Sequence, residues 1–77
     1  MTTVYFEEAY IKGVRGYHFD GACEVGVIAE SEAEAKEKRR EIEGYEGGSI
    51  GLESKPLSEC SDVVKEQIEA RGYSLQL

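Results

Sequence analysis

Stretches in which apolar and polar residues alternate are separated, along this chain, by two stretches whose apolar residues recur at helical spacing. Residues 4–12 are the first alternating stretch. They are rich in aromatic and β-branched types (Val4, Tyr5, Phe6, Tyr10, Ile11) and predict a strand. Val4 and Phe6 share one face and Ile11 falls on the other, an offset that a bulge near Glu8 would reconcile. A glycine-flanked connection follows, Gly13-Val14-Arg15-Gly16. From Tyr17 onward Phe19, Cys23, Val25, Val27 and Ala29 keep one face and His18, Asp20, Glu24 and Glu30 the other, which predicts a half-buried strand at least over 22–29. Asp20-Gly21 is also a hairpin dipeptide, so residues 12–21 are either part of that strand or a long excursion.

Ser31-Glu32-Ala33-Glu34 is a capping box: the Ser31 hydroxyl accepts from the amide of residue 34, and Glu34 reaches back. The predicted helix runs to about Glu43, with Gly44 as a left-handed cap. Glu32–Lys36, Glu34–Lys38 and Arg39–Glu43 form favourable pairs along its surface. Its apolar stripe, Ala33, Ala35 and Ile42, is thin. Gly47-Gly48-Ser49 reads as a turn, Ile50 and Leu52 as a short strand that Pro56 ends. A second helix begins at Ser58 or Ser61 as N-cap, with Asp62 in its first turn. It carries Cys60, Val63, Val64 and Ile68 on its apolar side and ends at Gly72, where Tyr73 is placed to pack on Ile68. The tail, residues 73–77, alternates again and predicts a last strand. The expectation is therefore a single α+β domain over residues 1–77. Its small mixed or antiparallel sheet has element order ββαβαβ and carries both helices on one face.

Size and charge narrow the function. A chain of 77 residues buries only about 60–65% of the surface it exposes when unfolded, which leaves little room for a deep cavity. The net charge of −7 argues against non-specific binding to nucleic acid or an anionic membrane, since phosphate contacts need Lys or Arg. It permits binding to a partner with a basic surface. The N-terminal run has no basic or apolar segment of a targeting signal, and no apolar run approaches membrane-spanning length, so the expected location is cytoplasmic.

Few residues suggest chemistry. His18 is the only histidine, and Asp20, two residues on, shares its strand face, so the two could form a proton relay. Cys60, near a helix start, is the more reactive of two cysteines, while Cys23 lies in the apolar register of a strand. The carboxylates are spread along helices among Lys and Arg, unlike a calcium loop, and no zinc spacing exists. The glycine pairs lack phosphate-loop spacing. No catalytic residue, metal site or cofactor is expected.

The surface is the better candidate. The acids are distributed: residues 1–24 sum to −2, residues 30–46 to −3 and residues 53–71 to −2. Folding could gather Glu7, Glu8, Asp20 and Glu24 on the sheet side and Glu41, Glu43 and Glu46 at the helix end, imitating spaced phosphates. Five tyrosines are many for this length, and Tyr favours interfaces; Tyr10, Tyr17 and Tyr45 complete the candidate partner-binding set.

A strand pair running into Ile28-Ala29-Glu30-Ser31-Glu32-Ala33-Glu34-Ala35-Lys36 resembles the small ββαβ proteins of phages and mobile elements, some anti-CRISPR proteins among them. The resemblance covers about residues 4–55 and carries over no functional residue. It implies an acidic inhibitor that occupies the basic groove of a nucleic-acid-binding complex such as a CRISPR effector, in the host cytoplasm, without touching nucleic acid itself. An alternative is a self-associating adaptor, for example a homodimer joined through residues 73–77 or 4–11 as an edge strand. A second alternative is a small ligand-binding domain or enzyme built on His18, Asp20 or Cys60.

Overall fold

The computed structural model describes residues 2–12 and 22–76. In chain order these form β1 (Thr3–Ile11), β2 (Ala22–Ile28), α1 (Glu32–Arg40), β3 (Tyr45–Pro56), a short 3-10 turn (Leu57–Glu59), α2 (Asp62–Arg71) and β4 (Tyr73–Gln76). The α+β class and the order ββαβαβ are as the sequence predicts. The sheet is antiparallel throughout, in the order β3-β1-β2-β4. With β1 paired on both sides, residues 4–11 are an interior strand and cannot serve as a free edge.

The helices lie on opposite faces of this sheet, not on one. Successive strand residues point to opposite sides, and β1 pairs with β2 without a register break. Ala9 and Ile11 of β1, with Cys23, Val25 and Val27 of β2, pack with Ala35 and Ile42 on the α1 side. Val4 and Phe6 pack with Val64, Ile68 and Cys60 on the α2 side. The two apolar sets in β1 therefore need no bulge near Glu8: each is buried under a different helix. Val63, placed by its spacing on the apolar stripe of α2, points to solvent and is 51% exposed.

Local chemistry sets the helix ends. Ser31 Oγ accepts from the Glu34 amide at 3.2 Å, and Glu34 Oε1 accepts from the Glu30 amide at 3.2 Å, one residue before the expected partner. Helix α1 ends earlier than predicted, at Arg40, and Gly44 then takes a φ of 87°. A side chain there would meet the Lys12 carbonyl oxygen at 2.6 Å, because the Lys12 amide donates to the Gly44 carbonyl at 2.7 Å. Ser61 caps α2 through the Val64 amide, and Gly72 closes it in the left-handed region. Tyr73 packs with the α1-side cluster, not on Ile68.

Strand β3 departs furthest from expectation. It is a 12-residue strand that includes Gly47-Gly48-Ser49, the segment whose composition reads as a turn. Its register against β1 shifts three times, each time leaving an extra residue on β3. The glycine-rich segment thus stays in the sheet as a series of bulges.

Candidate functional site

Two places in the fold concentrate polar groups. The first is beneath α1. Ala35, Arg39 and Ile42 recur at i, i+4 and i+7, so Arg39 lies on the stripe that faces the sheet. It is only 3% exposed. Its Nη2 donates to Glu7 Oε1 at 2.6 Å, and Glu7, in mid-β1, is equally buried. Tyr45, the first residue of β3, donates its hydroxyl to Glu7 Oε2 at 2.9 Å. Both carboxylate oxygens are therefore occupied. Glu7 Oε2 also lies where a β-carbon on Gly48 would stand, so only glycine fits at that position. Burial, and then the bond to Glu7, raise the Tyr45 phenol above its usual 10.0. The cluster ties α1 and β3 to β1. Arg39 Nε and Nη1 are buried with no partner among the described residues. A cavity of about 380 Å³ lies nearby, and its lining includes Glu7, Glu32, Ala33, Lys36 and Arg39.

The second place is the half of the α2-side sheet face that lies beyond the α2 cluster. That cluster covers Val4, Phe6 and Ile28. Further along the same face come Glu8, Tyr10 and Glu24, with Glu8 exposed and the other two half-buried. Glu8 and Glu24 stand directly opposite each other. The Ala29 amide donates to the Thr3 carbonyl, so odd-numbered residues of β2 direct their backbone groups to β1. Glu8–Glu24 is accordingly a non-hydrogen-bonded pair, the kind whose side chains approach most closely. Like charges so placed destabilise the sheet.

The predicted partner-binding residues separate accordingly. Glu8, Tyr10 and Glu24 share a face. Glu7 does not join them: it points to the α1 side and is consumed by Arg39 and Tyr45. Glu41, Glu43 and Glu46 are exposed around the end of α1 and the start of β3, beside the half-buried Tyr45. Tyr17 and Asp20, like His18, lie outside the described residues. Of the predicted surface pairs Glu34–Lys38 forms, at 3.5 Å, whereas Arg39 turns inward to Glu7.

Cys23 is buried as its apolar register predicts, and Cys60, near the start of α2, is buried as well. Cys23 and Cys60 are free and lie on opposite faces of the sheet. Burial raises both thiols above their usual 9.0, and at Cys60 it outweighs the lowering effect of Lys55 and Lys65. A raised thiol holds less thiolate and is a weaker nucleophile.

The edge strand β4 carries a feature the sequence reading missed. The Leu75 amide donates to Gln67 Oε1 at 2.7 Å, and the Tyr73 carbonyl accepts from Arg71 Nε at 3.2 Å. Arg71 also donates to Gln67 Oε1 and stacks 4.6 Å from the centre of the Tyr73 ring. Residues 73 and 75 direct their backbone groups away from β2, so two side chains of α2 occupy the positions an added strand would need.

Among the described residues no group of three or more His, Cys, Asp or Glu is arranged to hold a metal ion, and no helix is long and apolar enough to cross a membrane. No protein-family model, curated protein or solved structure matches the chain.

Proposed function

We propose that this chain is a small acidic protein-binding module that engages a basic protein surface through the Glu8–Tyr10–Glu24 face. The observation that carries the reading is the direct opposition of Glu8 and Glu24. A fold selected only for stability gains nothing from this pair, whereas an Arg or Lys of a partner set between the two carboxylates relieves their repulsion and forms charge-assisted hydrogen bonds. Tyr10 adds a half-buried ring beside them, a residue type that suits an interface. The exposed Glu41, Glu43 and Glu46 extend the negative field that would steer such a partner. A basic surface of this kind is typical of nucleic-acid-binding complexes. Inhibition of one by phosphate mimicry, as in the anti-CRISPR proteins the sequence resembles, is the specific form of the proposal.

The test is affinity capture from the source cell with the whole chain and with the double variant Glu8→Gln/Glu24→Gln, at low and high salt. The proposal predicts a basic partner that is retained at low salt, released at high salt and lost with the variant. Equal capture by the variant removes this face from the interface.

A further inference from the structure

We propose that α1 is a lid: it detaches from the sheet by local unfolding while the strands and α2 stay folded, and so uncovers Cys23. This device does not depend on the role of the acidic sheet face.

Unlike groups hold the two helices to the sheet. Within α2 the buried residues are Val64 and Ile68, both branched aliphatic side chains. Within α1 they are Ala35 and Arg39, a single methyl group and a guanidinium. Hydrophobic attraction scales with the apolar area removed from water, so α1 gains less of it by docking. Ile42, also buried, lies past the helix end at Arg40. The bonds differ as well. Helix α2 is fastened to the backbone of β4 twice, by Gln67 at Leu75 and by Arg71 at Tyr73. Helix α1 reaches a strand backbone through Lys38 Nζ, which donates to the Ile28 carbonyl at 2.7 Å in an exposed position.

The remaining tie of α1, Arg39 on Glu7, is the kind that loses least on opening. Both members are buried, so docking strips water from two charges. Arg39 Nε and Nη1 have no partner among the described residues to replace that water. Opening returns it, which offsets part of the lost attraction. A helix of nine residues does not persist alone in water, so a detached α1 unfolds. Ser31, extended, and Gly44, left-handed at a φ of 87°, bound the segment that moves.

Each helix covers one thiol. Cys23 packs with Ala35 and Ile42 on the α1 side, and Cys60 with Val64 and Ile68 on the α2 side. The two cysteines therefore report the two helices separately.

The experiment is alkylation of the whole native chain with excess iodoacetamide, at several urea concentrations below the unfolding transition. In this reaction the thiol sulfur forms a bond to carbon, iodide leaves and the thiol proton passes to the buffer. Peptide mass spectrometry gives the initial rate at each cysteine, normalised to the same cysteine in the urea-unfolded chain. By static exposure Cys60, at 6%, should react before Cys23, at 3%. The lid predicts the reverse, with Cys23 faster by at least about tenfold and less dependent on urea than global unfolding is. The double variant Glu7→Leu/Arg39→Met, which seats α1 on apolar groups, should narrow the difference. Equal rates at the two cysteines, faster reaction at Cys60, or a difference unmoved by the double variant would overturn the proposal.

Discussion

The pair Glu7–Arg39 is the buried interaction on which the α1 side most depends, and a double-mutant cycle measures it. Replacing Glu7 by Leu leaves the Arg39 guanidinium, already short of two partners, without its counter-charge. Replacing Arg39 by Met leaves a buried carboxylate with only the Tyr45 hydroxyl. Breaking a buried pair from either side costs about 3–5 kcal/mol, because the remaining charge stays desolvated. A domain of this size has a total stability of about 4–12 kcal/mol, so either single variant loses a large share of it. The melting temperature should drop by roughly 4–8 °C per kcal/mol. The double variant Glu7→Leu/Arg39→Met removes both charges and replaces them with apolar groups of comparable bulk. It should therefore be more stable than either single variant, since such exchanges are often neutral or stabilising. Urea denaturation followed by far-ultraviolet circular dichroism gives all four stabilities, provided the slope with urea is shared. Single variants within about 1 kcal/mol of wild type, or a double variant equal to the sum of the singles, would refute the reasoning. The first result would mean that the charges stay solvated in the folded chain, and the second that the two side chains contribute independently.

Three further outcomes follow from other parts of the fold. The double variant Gln67→Ala/Arg71→Ala uncovers the outward backbone groups of β4 and should self-associate at lower concentration than wild type, as read by sedimentation velocity; identical profiles would mean the edge is not guarded by these side chains. Gly26→Ala places a β-carbon 2.5 Å from Ser74 Oγ and 2.9 Å from Phe6 Cε1, and should lower stability by about 1–3 kcal/mol in the same urea assay. Burial and the Glu7 bond favour the neutral Tyr45 phenol, and burial favours the neutral thiols, so the fold retains these protons to higher pH than the unfolded chain does. Their contribution is fully present below 9.0 and should be lost as pH climbs from 9.0 for the thiols, and from 10.0 for Tyr45, towards their raised native values. Tyr45→Phe should flatten the upper part of that decline in pH-dependent melting curves.

What the sequence revealed, and what it hid, divides by the range of the interactions. Ser31, Ser61, Gly44 and Gly72 act on residues next to them, and the helix starts, the α2 stop and the left-handed Gly44 were legible at those positions. Strand β3 was not, because Gly47-Gly48-Ser49 has turn chemistry locally and becomes strand only by pairing with β1. The placement of the helices was hidden for a related reason: Val4 and Phe6 against Ile11 looked like a register fault until each set met its own helix. In the candidate sites, the shared facing of Glu8 and Glu24 followed from strand alternation only once their pairing was known. Glu7 looked like one more surface acid because nothing local marks its partner. The signal that could have found it was the charged Arg39 in the apolar stripe between Ala35 and Ile42. The roles of Gln67 and Arg71 depend on how α2 returns into β4, which no local pattern encodes.

The most direct measurement concerns Glu8 and Glu24 in the isolated chain. If the face keeps two carboxylates opposed for the sake of a cationic partner, the free protein bears the repulsion. Glu8→Gln should then raise stability by about 0.2–1 kcal/mol at low salt. The gain should shrink as salt screens the pair, and the same substitution should weaken capture of the basic partner. A Glu8→Gln chain that is no more stable than wild type at low salt, yet still binds the partner as tightly, would contradict the account.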